Sequence, residues 1–339
     1  MKNIEKINLW MIKNDIDSIY KIFIDITKEE NESVLMIGWL EYFSLITIEA
    51  IKYLDSKIDT LNIRSSIKNK KAIESCRARL KPYDTEYESF YKDMEKLNEE
   101  KMKEFEKCTS KEVPEFLKFI IDNYGTYSIN NKIIFNTFLC EHLYKKMMTS
   151  PDKMFEVGKE IGRSIKIISK LLGIDGNYEG KNRNFKIIDN DYNVYIQPNL
   201  LFKSNINSNY GLLLLNNISL MNFYTEVITK MTTNEFLKYR IAYIIYDSTS
   251  SNFKKMNIMK DIPGLEKLLN SIQFLNNREF RNCMYHYNIE SAINEDEIQI
   301  GLFFGLVEKY FRVGKEEYKI ILDNYLLLVP KIIENYILK

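Results

Sequence analysis

Histidine is nearly absent from this chain, whose 339 residues include only His142 and His286. Cysteine is also sparse, and no two cysteines form a Cys-x-x-Cys pair: the four are Cys76, Cys108, Cys140 and Cys283. Such wide spacing argues against a zinc site or a disulfide framework. We therefore expect a reduced protein that uses no metal or other cofactor.

The chain also lacks long aliphatic runs and a strong net charge. Runs such as Leu212 to Leu215 and Leu326 to Val329 are too short to cross a bilayer, and the N-terminus has no signal-peptide pattern. The formal net charge of +1 gives no global attraction for nucleic acid, so RNA binding would need a local patch. We expect a cytoplasmic protein with no membrane partner.

Apolar residues recur mainly at helical spacing, in a composition that is 45% hydrophobic and 28% charged. Start signals precede several of these segments: a possible capping box at Thr232 and Glu235, a related pair at Asn294 and Glu297, and Asp261 with Pro263. The predicted helices of the C-terminal half are Asn209 to Met231, Thr232 to Ser250, Asp261 to Leu275, Asn294 to Phe311 and Lys315 to Leu338. The sequence thus predicts a mainly all-α fold.

One region breaks the helical pattern. Alternating apolar and polar residues on both sides of Asp189-Asn190-Asp191 predict a short β-hairpin near 185–197. Glycines and polar runs surround it, so we place a linker at 176–204. This divides the chain into a helical domain at 1–175, of possible regulatory role, and a helical bundle at 205–339.

The segment from Arg281 to His286 carries the clearest chemical signal. Arginine binds phosphate through a fork of donors, and histidine readily exchanges a proton near neutral pH. An Arg followed four to six residues later by a His is expected about 0.16 times in a shuffled chain of this composition, and here Asn282 also follows the Arg directly. These residues are candidate catalytic groups for phosphodiester cleavage.

Helix geometry limits how well one copy of the motif can converge. Residues four apart share a helix face, as Asn282 and His286 would, whereas Arg281 and His286 would diverge by about 140° on a regular helix. One copy of the motif would therefore converge poorly by itself.

Arg281-Asn282 followed by His286 resembles the signature of HEPN domains (higher eukaryotes and prokaryotes nucleotide-binding). The resemblance covers at most residues 205–339 and implies a HEPN-like helical bundle. It also implies metal-independent cleavage of RNA, in which the ribose 2′-hydroxyl attacks the phosphate and leaves a 2′,3′-cyclic end. HEPN ribonucleases commonly dimerise so that two motifs face each other, and the poor convergence of one motif gives a reason for this. The resemblance therefore implies a homodimer with a composite active site. It also implies a role as a toxin or in antiviral defence and abortive infection, with an unidentified activator or antitoxin as a possible partner.

The resemblance assigns roles by position. His286 would be the general acid or base, Arg281 would bind the phosphate, and Asn282 would orient one of them. Members of the family often carry a supporting polar or acidic group on an earlier helix, for which Asp247 and Glu226 are candidates.

Two further residues are possible supports: Tyr287 and Arg278. Antitoxin-paired members place a tyrosine two residues after the histidine, whereas here Tyr287 follows His286 directly and Asn288 stands next. Modification of a tyrosine by a partner nucleotidyltransferase is therefore not supported.

Alternatives remain open at this stage. A non-catalytic HEPN-like module that binds RNA or protein, or a helical scaffold, would show the same motif with a structural His beside a salt-bridged Arg. Basic residues between Lys68 and Lys81, including Arg77 and Arg79, are more often a solvated helix face than an RNA track. Lys254, Lys255, Lys260 and Arg278 are better substrate-binding candidates, and His142 is assigned a structural or surface role.

Overall fold

The structure is a computed structural model. It describes residues 3–57, 73–74, 76–80, 96, 123–136, 151–174, 176–193, 201–256, 261–294, 297 and 303–339. Val194 to Gln197 of the predicted hairpin, His142, Lys260 and most of the basic stretch from Lys68 to Lys81 lie outside these residues.

The fold is mainly α-helical, as the sequence predicts. The helices in chain order are α1 (Asn3–Ile26), α2 (Glu32–Lys57), α3 (Pro151–Leu171), α4 (Ser208–Phe223), α5 (Glu235–Lys255), α6 (Leu265–Ser271), α7 (Arg278–Tyr285), α8 (Phe303–Phe311) and α9 (Lys315–Ile337). A π-helical turn, Tyr224–Ile228, and the short helix Thr229–Met231 continue α4. Single 3-10 turns occur at Arg77–Leu80, Gln273–Leu275 and Ile289–Ser291.

Helix α4 with its continuation to Met231, and helix α9, match their predicted bounds to within one residue, because periodicity and caps are local signals. Helix α5 begins and ends three to five residues later than predicted, and α6 begins four residues later. Most residues between Asn294 and Phe303 lie outside the described part of the chain, so the predicted start of α8 is not tested. The predicted capping box at Thr232 is wrong in detail. The cap of α5 is Asn234, whose side chain accepts from the amides of Phe236 and Leu237. At the other predicted start, the Asn294 amide does donate to the Glu297 carboxylate, at 3.0 Å.

The hairpin prediction is wrong about the turn. Asp189-Asn190-Asp191 lies inside strand β3 (Ile188–Asn193), which pairs antiparallel with β1 (Asn123–Ile129). The observed hairpin joins β1 to β2 (Lys132–Asn136) through Asn130 and Asn131, whose φ angles are 52° and 62°. Asparagine tolerates this left-handed conformation, which suits a tight two-residue turn. The sheet order is β2-β1-β3, and β2 packs against α4.

Helix α2 lies in the interior. It is apolar on nearly all faces, and such a helix is expected to be buried or to cross a membrane. Its length and composition would allow a membrane span, and 83% of its most apolar window is buried inside the fold. Gly38 allows close approach to α4, because a Cβ there would lie 2.3 Å from the Phe223 ring.

One hydrophobic cluster contains residues from both predicted domains. It runs from α1 through α2 and α4 to α5 and α9, with Ile12, Trp39, Leu213, Tyr243 and Leu326 among its fully buried members. The division at 176–204 remains a prediction about folding units. In the packing of the described residues, the two sides share a core.

Candidate functional site

Helix α7 presents the predicted motif on a short, firmly anchored element. The side chain of Asn277 caps its start by accepting from the Phe280 amide at 2.9 Å. Phe280 is fully buried and packs edge-to-face on Tyr243 and Phe311, with ring centroids 4.7 and 4.6 Å apart. Because this face is held in the core, the opposite face with Arg281 is exposed to solvent.

His286 lies just beyond the last helical residue. Its backbone is extended (φ −131°, ψ 153°), although its amide still donates to the Asn282 carbonyl oxygen at 2.9 Å. The divergence of about 140° expected between Arg281 and His286 assumes a regular helix through both residues. That assumption is wrong, because His286 has an extended backbone and its imidazole does not follow the helical direction. Asn282 itself is half-buried.

The imidazole of His286 is held by a carboxylate from the N-terminal half. Its Nδ1 lies 2.8 Å from Oε2 of Glu49, a residue in the C-terminal half of α2. The His286 side chain is 48% exposed, whereas that of Glu49 is only 5% exposed. A buried acceptor on Nδ1 favours the tautomer with its proton there, which leaves Nε2 free to accept a proton.

Glu49 has two further donors on its other oxygen. Lys52 Nζ lies 2.8 Å from Oε1, and the guanidinium of Arg77 donates to the same atom. Burial acts to raise the pKa of Glu49, but the hydrogen bonds from His286, Lys52 and Arg77 outweigh it and lower the pKa to about 2. Glu49 is therefore a carboxylate across the physiological range.

Arg281 lies in the field of Asp247 on α5, one of the predicted supporting residues. Asp247 is 6% exposed. Burial raises its pKa, while the positive charge of Arg281 and a hydrogen bond from Tyr285 oppose that rise. The Tyr285 hydroxyl lies 2.8 Å from the Leu80 carbonyl oxygen and 3.3 Å from Asp247 Oδ2, so its single proton serves mainly the carbonyl.

Tyr287 is buried, whereas a residue that supports catalysis at His286 would have to be accessible from the site. It is 4% exposed, and its hydroxyl donates to Oδ2 of Asp15 on α1 at 2.9 Å. The same oxygen pairs with the buried guanidinium of Arg240, which stacks on the Tyr287 ring at 4.4 Å. Arg240 Nε also donates to the Met284 carbonyl oxygen at 2.7 Å. Tyr287 thus contributes to a buried network that fastens the end of α7 to α1 and α5.

The remaining candidates are not joined to this cluster. Glu226 binds the β-hairpin instead, with its carboxylate 2.7 Å from Lys132 Nζ and 2.8 Å from the amide nitrogen of Asn130. Arg278 is exposed on the first turn of α7, and Lys254 is exposed near the end of α5. The structure therefore couples Arg281 to Asp247 and joins Asp247 to Tyr285, the residue before His286, whereas Glu226 lies elsewhere.

Glu49 is the site residue that sequence reasoning missed. It is the only charged residue in the mainly apolar run Leu45-Ile46-Thr47-Ile48-Glu49-Ala50-Ile51 of α2. A carboxylate at such a position is costly to bury without a partner. The cost of burying Glu49 alone therefore indicates that it has a partner. It does not indicate that this partner is His286, which lies 237 positions further along the chain.

Within the described ranges, no group of three or more His, Cys, Asp or Glu side chains is arranged to hold a metal ion. Comparisons with protein-family models, curated proteins and solved structures find no match.

Proposed function

We propose that the protein is a metal-independent endoribonuclease of the HEPN type, with His286 and Arg281 as its catalytic residues. The observation that carries this proposal is the solvent-exposed imidazole of His286, held at Nδ1 by the buried carboxylate of Glu49. A carboxylate that orients a histidine is a recurring arrangement in general acid and base catalysis. The motif's likeness to the HEPN signature suggests the substrate.

His286 Nε2 would remove the proton from a ribose 2′-hydroxyl. The 2′-oxygen then bonds to the adjacent phosphorus while the bond from phosphorus to the 5′-oxygen breaks. The departing 5′-oxygen takes up a proton from water, and the imidazolium of His286 afterwards returns its proton to the solvent. The products are a 2′,3′-cyclic phosphate and a 5′-hydroxyl. Glu49 would stabilise the imidazolium that forms during proton transfer.

Arg281 would bind the phosphate and stabilise the charge that accumulates on its oxygens. Its exposure makes the guanidinium accessible to a polymer substrate, and its charge also acts on Asp247 of α5. Asn282, half-buried one residue along, would help to place the phosphate or the imidazole.

The biological setting follows from the resemblance alone. We propose a role in prokaryotic defence or as a toxin, with an activator or antitoxin that controls the site. A homodimer with facing sites is part of the same proposal, and the molar mass in solution would test it.

The cleavage test uses the full chain, mixed RNA and EDTA. Wild type should yield 2′,3′-cyclic phosphate ends, and His286→Ala should slow cleavage by about 10²- to 10⁴-fold because general acid and base catalysis is lost. Arg281→Ala should also slow it strongly. Matched controls are His142→Ala and Arg163→Ala, since Arg163 is 55% exposed on α3 and paired with Glu160.

Cleavage that survives His286→Ala would contradict the proposal, provided that thermal unfolding shows all variants to be folded. RNA that is bound equally by wild type and variants without any cleavage would instead favour a non-catalytic RNA-binding module.

A further inference from the structure

The 3-10 turn Arg77–Leu80 contacts the site at two adjacent points. Its first residue, Arg77, donates to Oε1 of Glu49, the carboxylate that holds His286. Its last residue, Leu80, accepts from the Tyr285 hydroxyl at 2.8 Å through its carbonyl oxygen. Tyr285 and His286 are neighbours at the end of α7, so this turn of the N-terminal half is docked directly against the motif.

Glu49 divides its two oxygens between the site and the turn. Oε2 faces His286, whereas Oε1 receives Arg77 and Lys52. The Arg77 side chain is 16% exposed and that of Lys52 is 32% exposed. Arg77 is thus the more buried of the two cations that compete with the imidazole for Glu49, and solvent screens its charge less.

This competition matters for proton transfer. An unopposed buried carboxylate would stabilise the protonated imidazolium, in which both ring nitrogens are donors and neither can accept a proton. A cation on the far oxygen offsets part of that negative charge and also fixes the carboxylate in place. The imidazole then keeps its orientation without being locked in its charged form.

We infer that Arg77 is a positioning residue for His286, acting through Glu49: it holds the carboxylate against Nδ1 and neutralises part of its charge. The consequence for catalysis rests on the proposed function, but the coupling between Arg77, Glu49 and His286 does not require RNA. Through it, the N-terminal half contributes to the site within the same chain.

Other ionisable groups also face this end of α7. Within the described part of the chain they come from α2, α5 and α7 itself: Lys52, Asp247, Arg281 and Tyr285. The test therefore compares substitutions at the two members of one ion pair, so that these other groups stay constant.

The experiment follows the ring signals of His286 by NMR as the pH is varied, in full-length protein labelled with ¹⁵N histidine. The chain has only two histidines, and His286→Gln identifies the signal. In Glu49→Gln the midpoint of the signal change should fall, because the imidazolium loses its carboxylate. In Arg77→Met it should rise by a smaller amount, because the carboxylate loses its competing cation.

Arg77→Lys keeps the positive charge and should restore the wild-type midpoint, and Arg163→Met on α3 is the matched arginine control. Arg77→Gln provides a second neutral variant if Arg77→Met does not fold. Shifts in opposite directions for Glu49→Gln and the neutral Arg77 variants support the inference. An unchanged midpoint in the neutral Arg77 variants, or a shift in the same direction as Glu49→Gln, would overturn it.

The same samples assayed with RNA separate the two proposals. If the His286 midpoint shifts in opposite directions in the Glu49 and Arg77 variants but no RNA is cleaved, the positioning role stands and the ribonuclease proposal is refuted. Cleavage that depends on His286, together with a midpoint that Arg77 does not affect, would refute the positioning role alone.

Discussion

At the scale of single residues, the ionisation of Glu49 is coupled to folding. Its pKa in the folded protein is about 2, below the ordinary 4.5, because hydrogen bonds from His286, Lys52 and Arg77 outweigh its burial. A depressed carboxyl pKa stabilises the fold above about pH 4.5, and this contribution is lost as the pH falls towards 2.

We therefore expect Glu49→Gln to lower the free energy of unfolding by about 2 kcal/mol at pH 7, allowing for partial solvent screening, and by much less near pH 2. Urea unfolding at both values measures the difference. Glu226→Gln is a matched control, because the pKa of Glu226 is also about 2 but its partners are Lys132 and Asn130 of the hairpin and Lys230, away from His286. The expectation would be contradicted if Glu49→Gln lowered the free energy of unfolding by the same amount at both pH values.

The residues that the sequence identifies and those it misses differ in how far away their partners lie. Arg281 and His286 are recognisable because the motif is contiguous, and both are solvent-exposed. Glu49, Arg77 and Tyr285 depend on contacts across 28 to 237 positions, which no local pattern specifies. Tyr287 looks like part of the motif, yet its hydroxyl is used up by Asp15 in the core.

At the scale of elements, the cap of α7 should control how firmly the motif is held. The Asn277 side chain is the hydrogen-bond acceptor for the Phe280 amide at the start of this eight-residue helix. Asn277→Ala should cost about 1 kcal/mol of stability, and Asn277→Ser should cost much less. Hydrogen exchange of the Phe280 and Arg281 amides should become faster in Asn277→Ala but not in Asn277→Ser. If these amides exchanged at the same rate in both variants, the side chain of residue 277 would not be what holds the helix.

Helices were predicted more accurately than strands for a physical reason. The capping and periodicity that define α5 or α9 are contained within each segment, whereas β3 is defined by pairing with β1, some 64 positions earlier. Alternating residues around Asp189 to Asp191 indicated extended chain correctly but gave no information on its partner. The Asn130-Asn131 turn is hard to recognise in the sequence, because an Asn pair is a weaker turn signal than Asn-Gly.

At the scale of the whole molecule, buried polar contacts join the two halves as closely as the apolar core does. Asp15 of α1 pairs with Arg240 of α5 and accepts from Tyr287, and all three side chains are at least 96% buried. Removing one member of such a pair leaves the other charge uncompensated in the interior.

Asp15→Ala should therefore lower the free energy of unfolding by about 3 to 5 kcal/mol. The double variant with Arg240→Met should cost less than the sum of the two single changes, because no charge is left unpaired. Chemical denaturation of the four proteins gives the coupling energy. Strict additivity would mean that the pair does not link α1 to α5.

The brevity of α7 has a consequence for any attempt to reproduce the site in isolation. Eight residues are too few for a helix to persist in water, so the shape of this segment comes from Asn277, Arg240 and the aromatic side chains around Phe280. A synthetic peptide copied from 276–288 would contain arginine, asparagine and histidine in the right order but as a fluctuating coil. A synthetic version of the site would also need groups that hold the segment in its helical shape.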